Sequence, residues 1–281
     1  MNQTKKEELN YLLDNMVFSF SNIQAYATCP RMWELKYVEC AQGESNIYAK
    51  FGTCCHNIMQ EYTNGNIPKA SVADKYNEQF AKHVDDCPPD FMNDQTFEFY
   101  ERGLEYFEYE TESSVVERML KLYGKKYHRY EVSTEHYFEY EMPSNGHKFC
   151  GYIDLLIFIY NSKNKLQDII VVDHKSGESP INKRNGNLKS SGAEKLEQYK
   201  RQLYLYSDYI NYEYKMSPDS IALNYIKDKN ILRFPFDKQE QENTLQWISE
   251  TIEAMYNTEC FDMTGSYFFC RNICEYRNGG C

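Results

Sequence analysis

Two aspartates and a lysine are the residues whose types and spacing could do chemistry. Asp154 sits in Gly151-Tyr-Ile-Asp154-Leu-Leu, and Asp173 and Lys175 sit in Ile170-Val-Val-Asp173-His-Lys175-Ser-Gly177. Both stretches read as strands. Side chains alternate along a strand, so Asp173 and Lys175 share one face while Ile170, Val172 and His174 share the other. In a hairpin the midpoint between Asp154 and Asp173 falls at Lys163/Asn164, inside the polar stretch Asn161-Ser-Lys-Asn-Lys165. That register sets the two carboxylates opposite or nearly opposite each other, and a one-residue slip would separate them. Facing carboxylates repel, so the pair calls for a cation between them. Oxygen ligands at this density suit a hard divalent ion, Mg²⁺ or Mn²⁺. A solvated strand pair with scattered charges is the plain alternative. The apolar run before Asp173, which marks a buried central strand, speaks against it.

Several elements must position this set. Phe51-Gly-Thr-Cys-Cys-His56-Asn-Ile-Met-Gln-Glu-Tyr62 reads as an amphipathic helix starting near Gly52. A helical histidine taken alone is more often a hydrogen-bonded structural group than a ligand. Downstream, Gln198, Gln202 and Tyr206 follow at i, i+4 and i+8 and share a helix face. Tyr130–Met142 reads as the first strand of a sheet, with Pro143-Ser-Asn-Gly146 as its turn. Its Glu135 either supports the metal ligands from outside or is a surface glutamate. Ser220–Ile226 and Ile231–Phe236 suggest a further strand pair. A helix from about Gln239 to Tyr256 carries Trp247, Ile248, Ile252 and Met255 as a core stripe.

The remaining segments frame these. Residues 1–16 read as a mobile polar leader with one or two helical turns. Ser19 or Ser21 can cap a helix that Pro30 ends after Cys29. Residues 63–129 are mostly helical in pattern, with Cys87-Pro-Pro as a break. Lys121–Tyr130 interleaves cations with tyrosines, as a single-strand-binding surface does, although a solvated helix end explains it as well. Ile181–Arg201 holds six cations, among them Lys183, Arg184, Lys189 and Lys195, against two glutamates. That makes it a candidate phosphate guide beside a metal site.

Composition bounds the class. The 281 residues suffice for one full core. No apolar run approaches a membrane span and the N-terminus is not signal-like, so a soluble cytoplasmic protein is expected. A net charge of −11 counts against a general nucleic-acid binder. Local cations and bound metal decide phosphate contacts, however, more than net charge does. Of the ten cysteines, Cys29 and the terminal group Cys270, Cys274 and Cys281 make four thiolates able to hold a [4Fe–4S] cluster or a structural Zn²⁺. Cys40, Cys54, Cys55, Cys87, Cys150 and Cys260 are most simply small buried apolar residues.

An aspartate followed by Asp-x-Lys at the end of an apolar strand resembles the PD-(D/E)XK nuclease core. The trailing Ser176-Gly177 resembles its RecB-like exonuclease branch. The stretch Ser19-Phe-Ser21 through Cys29-Pro30 is similar to the start of members that carry an iron–sulfur cluster, including CRISPR-associated and AddB-type exonucleases. His56 resembles the histidine that completes their metal site, and Gln202 and Tyr206 match their Gln-x-x-x-Tyr motif. Three residues separate Cys270 from Cys274, where the family often has two.

The resemblance implies an α/β restriction-endonuclease-like fold. Its mixed central sheet would be flanked by helices, as one domain over 1–281 with a helical insertion at 63–129 and a cysteine clamp joining Cys29 to 270–281. It implies Mg²⁺ or Mn²⁺ held by His56, Asp154, Asp173 and the main-chain carbonyl of His174. Lys175, Gln202 and Tyr206 would act on the substrate, with single-stranded DNA as that substrate and a helicase or CRISPR-adaptation partner. Two other classes stay open. One is a DNA-binding or assembly subunit that keeps the fold and the cluster but cleaves little. The other is a redox or zinc-stapled protein whose cysteines are the active part.

Overall fold

The β-hairpin expected around Asn161 is present, its strands paired antiparallel. The computed structural model describes residues 3–85, 96–182, 186–189 and 192–277. In chain order the helices are α1 (Gln3–Asp14), α2 (Phe20–Thr28), α3 (Pro30–Trp33), α4 (Ile47–Thr63), α5 (Val72–Asp85), α6 (Thr96–Glu112), α7 (Val115–Tyr123), α8 (Gly192–Tyr214), α9 (Lys238–Asn257) and α10 (Tyr267–Asn272). The strands are β1 (Val17–Phe18), β2 (Arg129–Glu141), β3 (Lys148–Tyr160), β4 (Leu166–Lys175), β5 (Ser220–Tyr225) and β6 (Asn230–Pro235). They form one mixed sheet in the order β1-β3-β4-β5-β6, with β2 also on β3. The β3–β4 and β5–β6 pairs are antiparallel and the β4–β5 pair is parallel. The α/β class and the mixed sheet flanked by helices are as expected.

The chain divides into two compact units. The second, residues 47–137 and 152–238, holds the hairpin. Leu155, Ile157, Ile170, Val172 and Ala222 join one cluster with the buried stripes of α4, α5, α6 and α7. The even-numbered residues of β4 therefore face a helical layer. Helix α8 packs on β4 and β5. Because β4 is covered on both sides, its Ile-Ile-Val-Val run is fully buried, at roughly 1.5–3 kcal/mol per side chain of this size. The segment 63–129 supplies α5, α6 and α7 to this layer, and Cys87-Pro-Pro lies outside the described residues. Gly103 on α6 admits the Tyr76 ring, where a Cβ would stand 2.1 Å from its hydroxyl oxygen. That hydroxyl donates to the carbonyl oxygens of Phe99 (3.2 Å) and Tyr100 (3.0 Å).

The first unit is residues 1–46, 138–151 and 239–281. Its start corrects the expectation of a mobile leader. Helix α1 runs for 12 residues, because Leu9 and Leu13, one turn apart, are both buried. Lys6 Nζ donates to the carbonyl oxygens of Tyr256 and Thr258. Ser19 caps α2 and accepts from the Asn22 N–H at 3.2 Å. Pro30, which has no N–H to lose, both ends α2 and opens α3. Strand β1 was not foreseen, since two residues are too few to show an alternation. It pairs parallel with the start of β3.

Two further expectations change. Helix α4 starts at Ile47 rather than near Gly52, because Ile47 and Phe51 extend its buried stripe backwards. Gly52 is a site of close approach instead, its Cβ position lying 3.3 Å from Ser176 Oγ. The spare cysteines also divide. Cys54 and Cys55 are fully buried, Cys150 is half-buried, and Cys40 and Cys260 are exposed. The last two lie in irregular segments, where no apolar periodicity draws a small side chain inward.

Candidate active site

Leu155 faces Val172 and Leu156 faces Val171. The same register carried one step further faces Asp154 with Asp173, as the turn midpoint requires. Both carboxylates are buried, at 9 % and 2 % exposure. Asp154 Oδ2 accepts the His174 backbone N–H at 2.6 Å. Asp173 Oδ2 lies 2.7 Å from Lys175 Nζ, the i, i+2 neighbour on the same strand face.

Helix α8 fixes that lysine. Gln202 Oε1 accepts from Lys175 Nζ at 2.9 Å, and Gln202 Nε2 donates to the Tyr206 hydroxyl at 2.7 Å. The Tyr199 ring lies under the ammonium, 4.1 Å from its centroid, a cation–π contact. Lys175 is thus held by a carboxylate, an amide and an aromatic face. The Gln-x-x-x-Tyr pair works as one unit here because i and i+4 side chains meet on a helix. Lys195, in the first turns of α8, stands 5.6 Å from the same ring. Lys195 is exposed, yet the protein around its ammonium removes part of its solvation and, with Lys175 and other cations nearby, lowers its pKa.

Helix α4 and strand β2 supply the other half. His56 Nε2 lies 3.1 Å from the His174 carbonyl oxygen. With Nε2–H as the donor, Nδ1 faces two carboxylates, Asp154 Oδ1 at 3.5 Å and Glu135 Oε1 at 3.8 Å. A backbone carbonyl that orients an imidazole in this way is common behind metal ligands. His56, Glu135 and Asp154 form a group whose ligand atoms all lie within 4.8 Å of one another. Two ligands each about 2.1 Å from one ion stand roughly 3–4 Å apart, so the donor set fits a single hard divalent cation. Glu135 reaches the group from a residue with φ of +46° inside β2. That left-handed conformation is unusual for glutamate and re-aims its side chain. The compact triad therefore contains Glu135, while Asp173 faces Lys175 beside it.

The electrostatics agree with a site built for positive charge. Burial lowers the His56 pKa, but Asp154, Glu135 and Asp173 outweigh it and hold it well above the ordinary value. Burial raises Asp154, yet His56 and the His174 N–H bring it below the usual carboxylate range. Asp173 moves the opposite way, raised by burial and by Asp154 against the pull of Lys175. Two facing carboxylates whose pKa values separate are typical of a functional site.

On its other face β4 presents His174, 5 % exposed. Burial pushes this imidazole down to about 4, so it is neutral, and its Nδ1 accepts from Asn224 Nδ2 at 3.0 Å. The same amide donates to the Tyr106 hydroxyl at 2.7 Å, which donates to Glu110 Oε2 at 3.1 Å. Glu110 also accepts from the Val115 N–H at 2.6 Å and from Arg118 at 2.9 Å. A buried polar chain thus runs from α6 and α7 through β5 to the residue whose backbone holds both His56 and Asp154. Reasoning from sequence missed Asn224, Tyr106, Glu110 and Tyr199. One signal was available, a lone asparagine within the apolar run of β5.

The sequence profile of the PD-(D/E)XK nuclease superfamily matches residues 17–278. The chain belongs to the PD-(D/E)XK nuclease superfamily. Members of this superfamily use divalent metals, in keeping with the His56, Glu135 and Asp154 donor set. Among solved structures, a candidate exonuclease from Eubacterium rectale aligns with a TM-score of 0.50 at 11 % identity. The alignment covers 94 % of this chain and 89 % of that one, and shows a shared fold. A second structure, SSO0001, aligns at 14 % identity over 98 % of this chain and 94 % of that chain, with a TM-score of only 0.36. No protein of curated function matches the sequence.

The remaining predicted site residues belong to the first unit. Cys29 and Cys274 are buried and Cys270 is half-buried. The Cys29 thiol lies 4.0 Å from the Asp262 carbonyl oxygen, and that of Cys270 lies 3.5 Å from the Gly265 carbonyl oxygen. Cys281 lies outside the described residues. No described helix is long and apolar enough to cross a membrane.

Proposed function

We propose that the chain is a divalent-metal-dependent deoxyribonuclease that hydrolyses phosphodiester bonds from DNA ends, with single-stranded ends preferred. The observation that carries this reading is the meeting of two half-sites at the end of β4. One is the His56, Glu135 and Asp154 ligand group; the other is an ammonium fixed by Asp173, Gln202 and Tyr199. His56, Glu135, Asp154 and Asp173 would hold Mg²⁺ or Mn²⁺, with the His174 carbonyl behind His56 orienting its ring. When bound, such an ion polarises the scissile phosphate and makes water a stronger nucleophile at neutral pH.

The chain's own residues do the rest. Lys175, already oriented, directs the attacking water and stabilises the negative charge that develops on the phosphate. Gln202 keeps the ammonium aimed and links it to Tyr206, and together they position the strand. Lys195, next to Lys175 over the Tyr199 ring, offers a second cation to an adjacent phosphate.

Cys29, Cys270, Cys274 and Cys281 are a set of four thiols suited to a [4Fe–4S] cluster, with structural Zn²⁺ as the alternative. Absorbance near 400 nm in freshly purified protein separates the two. Family habit supports a role in recombination, repair or CRISPR-adaptation-type processing beside a helicase or CRISPR-adaptation partner.

Incubation of end-labelled single-stranded DNA with Mg²⁺ or Mn²⁺ tests the activity. Wild type should release label in a metal-dependent way and Asp173→Ala should not, the labelled end giving the polarity. Equal release by both proteins would remove the site from the reaction. No release from single-stranded or duplex DNA would leave a binding or assembly subunit.

A further inference from the structure

Two tyrosines stand beside the metal ligands in a way that phosphodiester hydrolysis itself does not require. Tyr137 on β2 and Tyr152 on β3 have ring centroids 5.2 Å apart, with 52° between their planes. They are 51 % and 57 % exposed. Cross-strand aromatic pairs stabilise sheets mainly through the area they bury, and this pair leaves half of its surface to solvent. Tyr152 also lines an open cleft of about 530 Å³, together with His56, Glu135, Thr53, Asn57 and Gln60. The cleft therefore combines metal-ligating groups, an aromatic face and two carboxamides on successive turns of α4.

Each of these matches one part of a nucleotide. The ligand group suits a phosphate through a bound divalent cation. A tyrosine ring offers a flat π surface to any base. A carboxamide carries both donors and an acceptor and can read a base edge. A paired base has its faces covered by its neighbours and its edge engaged by its partner, so only an unpaired base can use this arrangement without first being unstacked.

We propose that Tyr137 and Tyr152 form a stacking platform for an unpaired nucleobase next to the scissile phosphate, with Asn57 and Gln60 facing its edge. The platform makes the site selective for single-stranded nucleic acid. This inference rests on the nuclease reading and adds a subsite to it.

The test compares cleavage of a single-stranded oligodeoxynucleotide with cleavage of a strand of the same length built from abasic tetrahydrofuran residues. Wild type should favour the normal strand, by roughly 5- to 150-fold for each base stacked. Tyr137→Ala/Tyr152→Ala should lose most of that preference, its rate falling far more on the normal strand than on the abasic one. Tyr137→Phe/Tyr152→Phe, which keeps the rings, should retain it. A double alanine variant with the full preference overturns the platform. So does an equal loss on both strands, which would make the tyrosines supports of the sheet. If wild type cleaves neither strand, the nuclease reading itself fails and the subsite with it.

Discussion

On the α8 side of β4, a buried Asp173 and a half-buried Lys175 meet Gln202 and Tyr199 in a charged arrangement, the more open of the two. On the opposite side His174 meets Asn224, Tyr106 and Glu110 in a closed chain with almost no exposure. The two faces of one strand differ by a single residue in sequence and entirely in physics. Charge on the open side can act on a phosphate. Polarity on the closed side can only hold the backbone, and does so through His174, whose N–H binds Asp154 and whose carbonyl meets His56. The reactive face is thus only as well placed as the buried face behind it.

That contrast can be broken from either side, and the open side should break harder. Lys175→Met removes the oriented ammonium and should lower kcat by about 10²–10³. Mn²⁺ affinity should not weaken, since a cation next to the carboxylates has gone. A matching fall in metal affinity would show that the two half-sites are not separate.

Asn224→Leu should act more gently but more broadly. It removes the donor to the Tyr106 hydroxyl, which keeps Glu110, and strands the His174 Nδ1, at about 1–3 kcal/mol of unfolding free energy by denaturant titration. It should also reduce activity or metal affinity by roughly 10–100-fold, as loss of a group that orients ligands does. Unchanged activity in a folded variant would confine the buried chain to stability.

Glu110 gives the smallest and most specific effect, in the pH dependence of stability. Its pKa is raised, because burial exceeds the pull of Arg118, the Val115 N–H and Tyr106. From the arginine's side the same pairing raises the Arg118 pKa and looks stabilising. The fully buried carboxylate decides, since desolvation often outweighs the attraction in a buried pair. The folded state then holds the Glu110 proton more tightly than the unfolded chain, whose value is about 4.5. Stability from this group is present below that value and is lost as pH rises through the folded pKa. Relative to wild type, Glu110→Gln should therefore gain stability as pH increases from about 4.5. A relative loss over the same range would mean that the ion pair stabilises the fold.

The same asymmetry explains what could be read from the sequence. The open face uses short-range rules. A strand period of two puts Asp173 and Lys175 together, a hairpin midpoint sets Asp154 against Asp173, and a helical i, i+4 step joins Gln202 to Tyr206. Each of these survives the loss of all tertiary information. The closed face joins residues 118 and 50 positions apart, Tyr106 and His174 to Asn224, and nothing local announces such a pairing. Glu135 falls between the two cases. Its strand was legible, but its place in the ligand group depends on a backbone kink that no residue preference signals. Leu9 and Leu13 show the converse, a pattern present in plain view within a segment otherwise too polar to attract notice.

The central claim, that His56, Glu135 and Asp154 together hold one divalent ion, is tested most directly by titrating Mn²⁺ into the protein and following the free ion by electron paramagnetic resonance. Wild type should bind one tight equivalent in this unit. Glu135→Gln and Asp154→Asn should each weaken that equivalent by about tenfold or more, with little change in the circular dichroism of the fold. Unaltered Mn²⁺ binding by folded Glu135→Gln and Asp154→Asn would contradict the assignment and place the metal elsewhere.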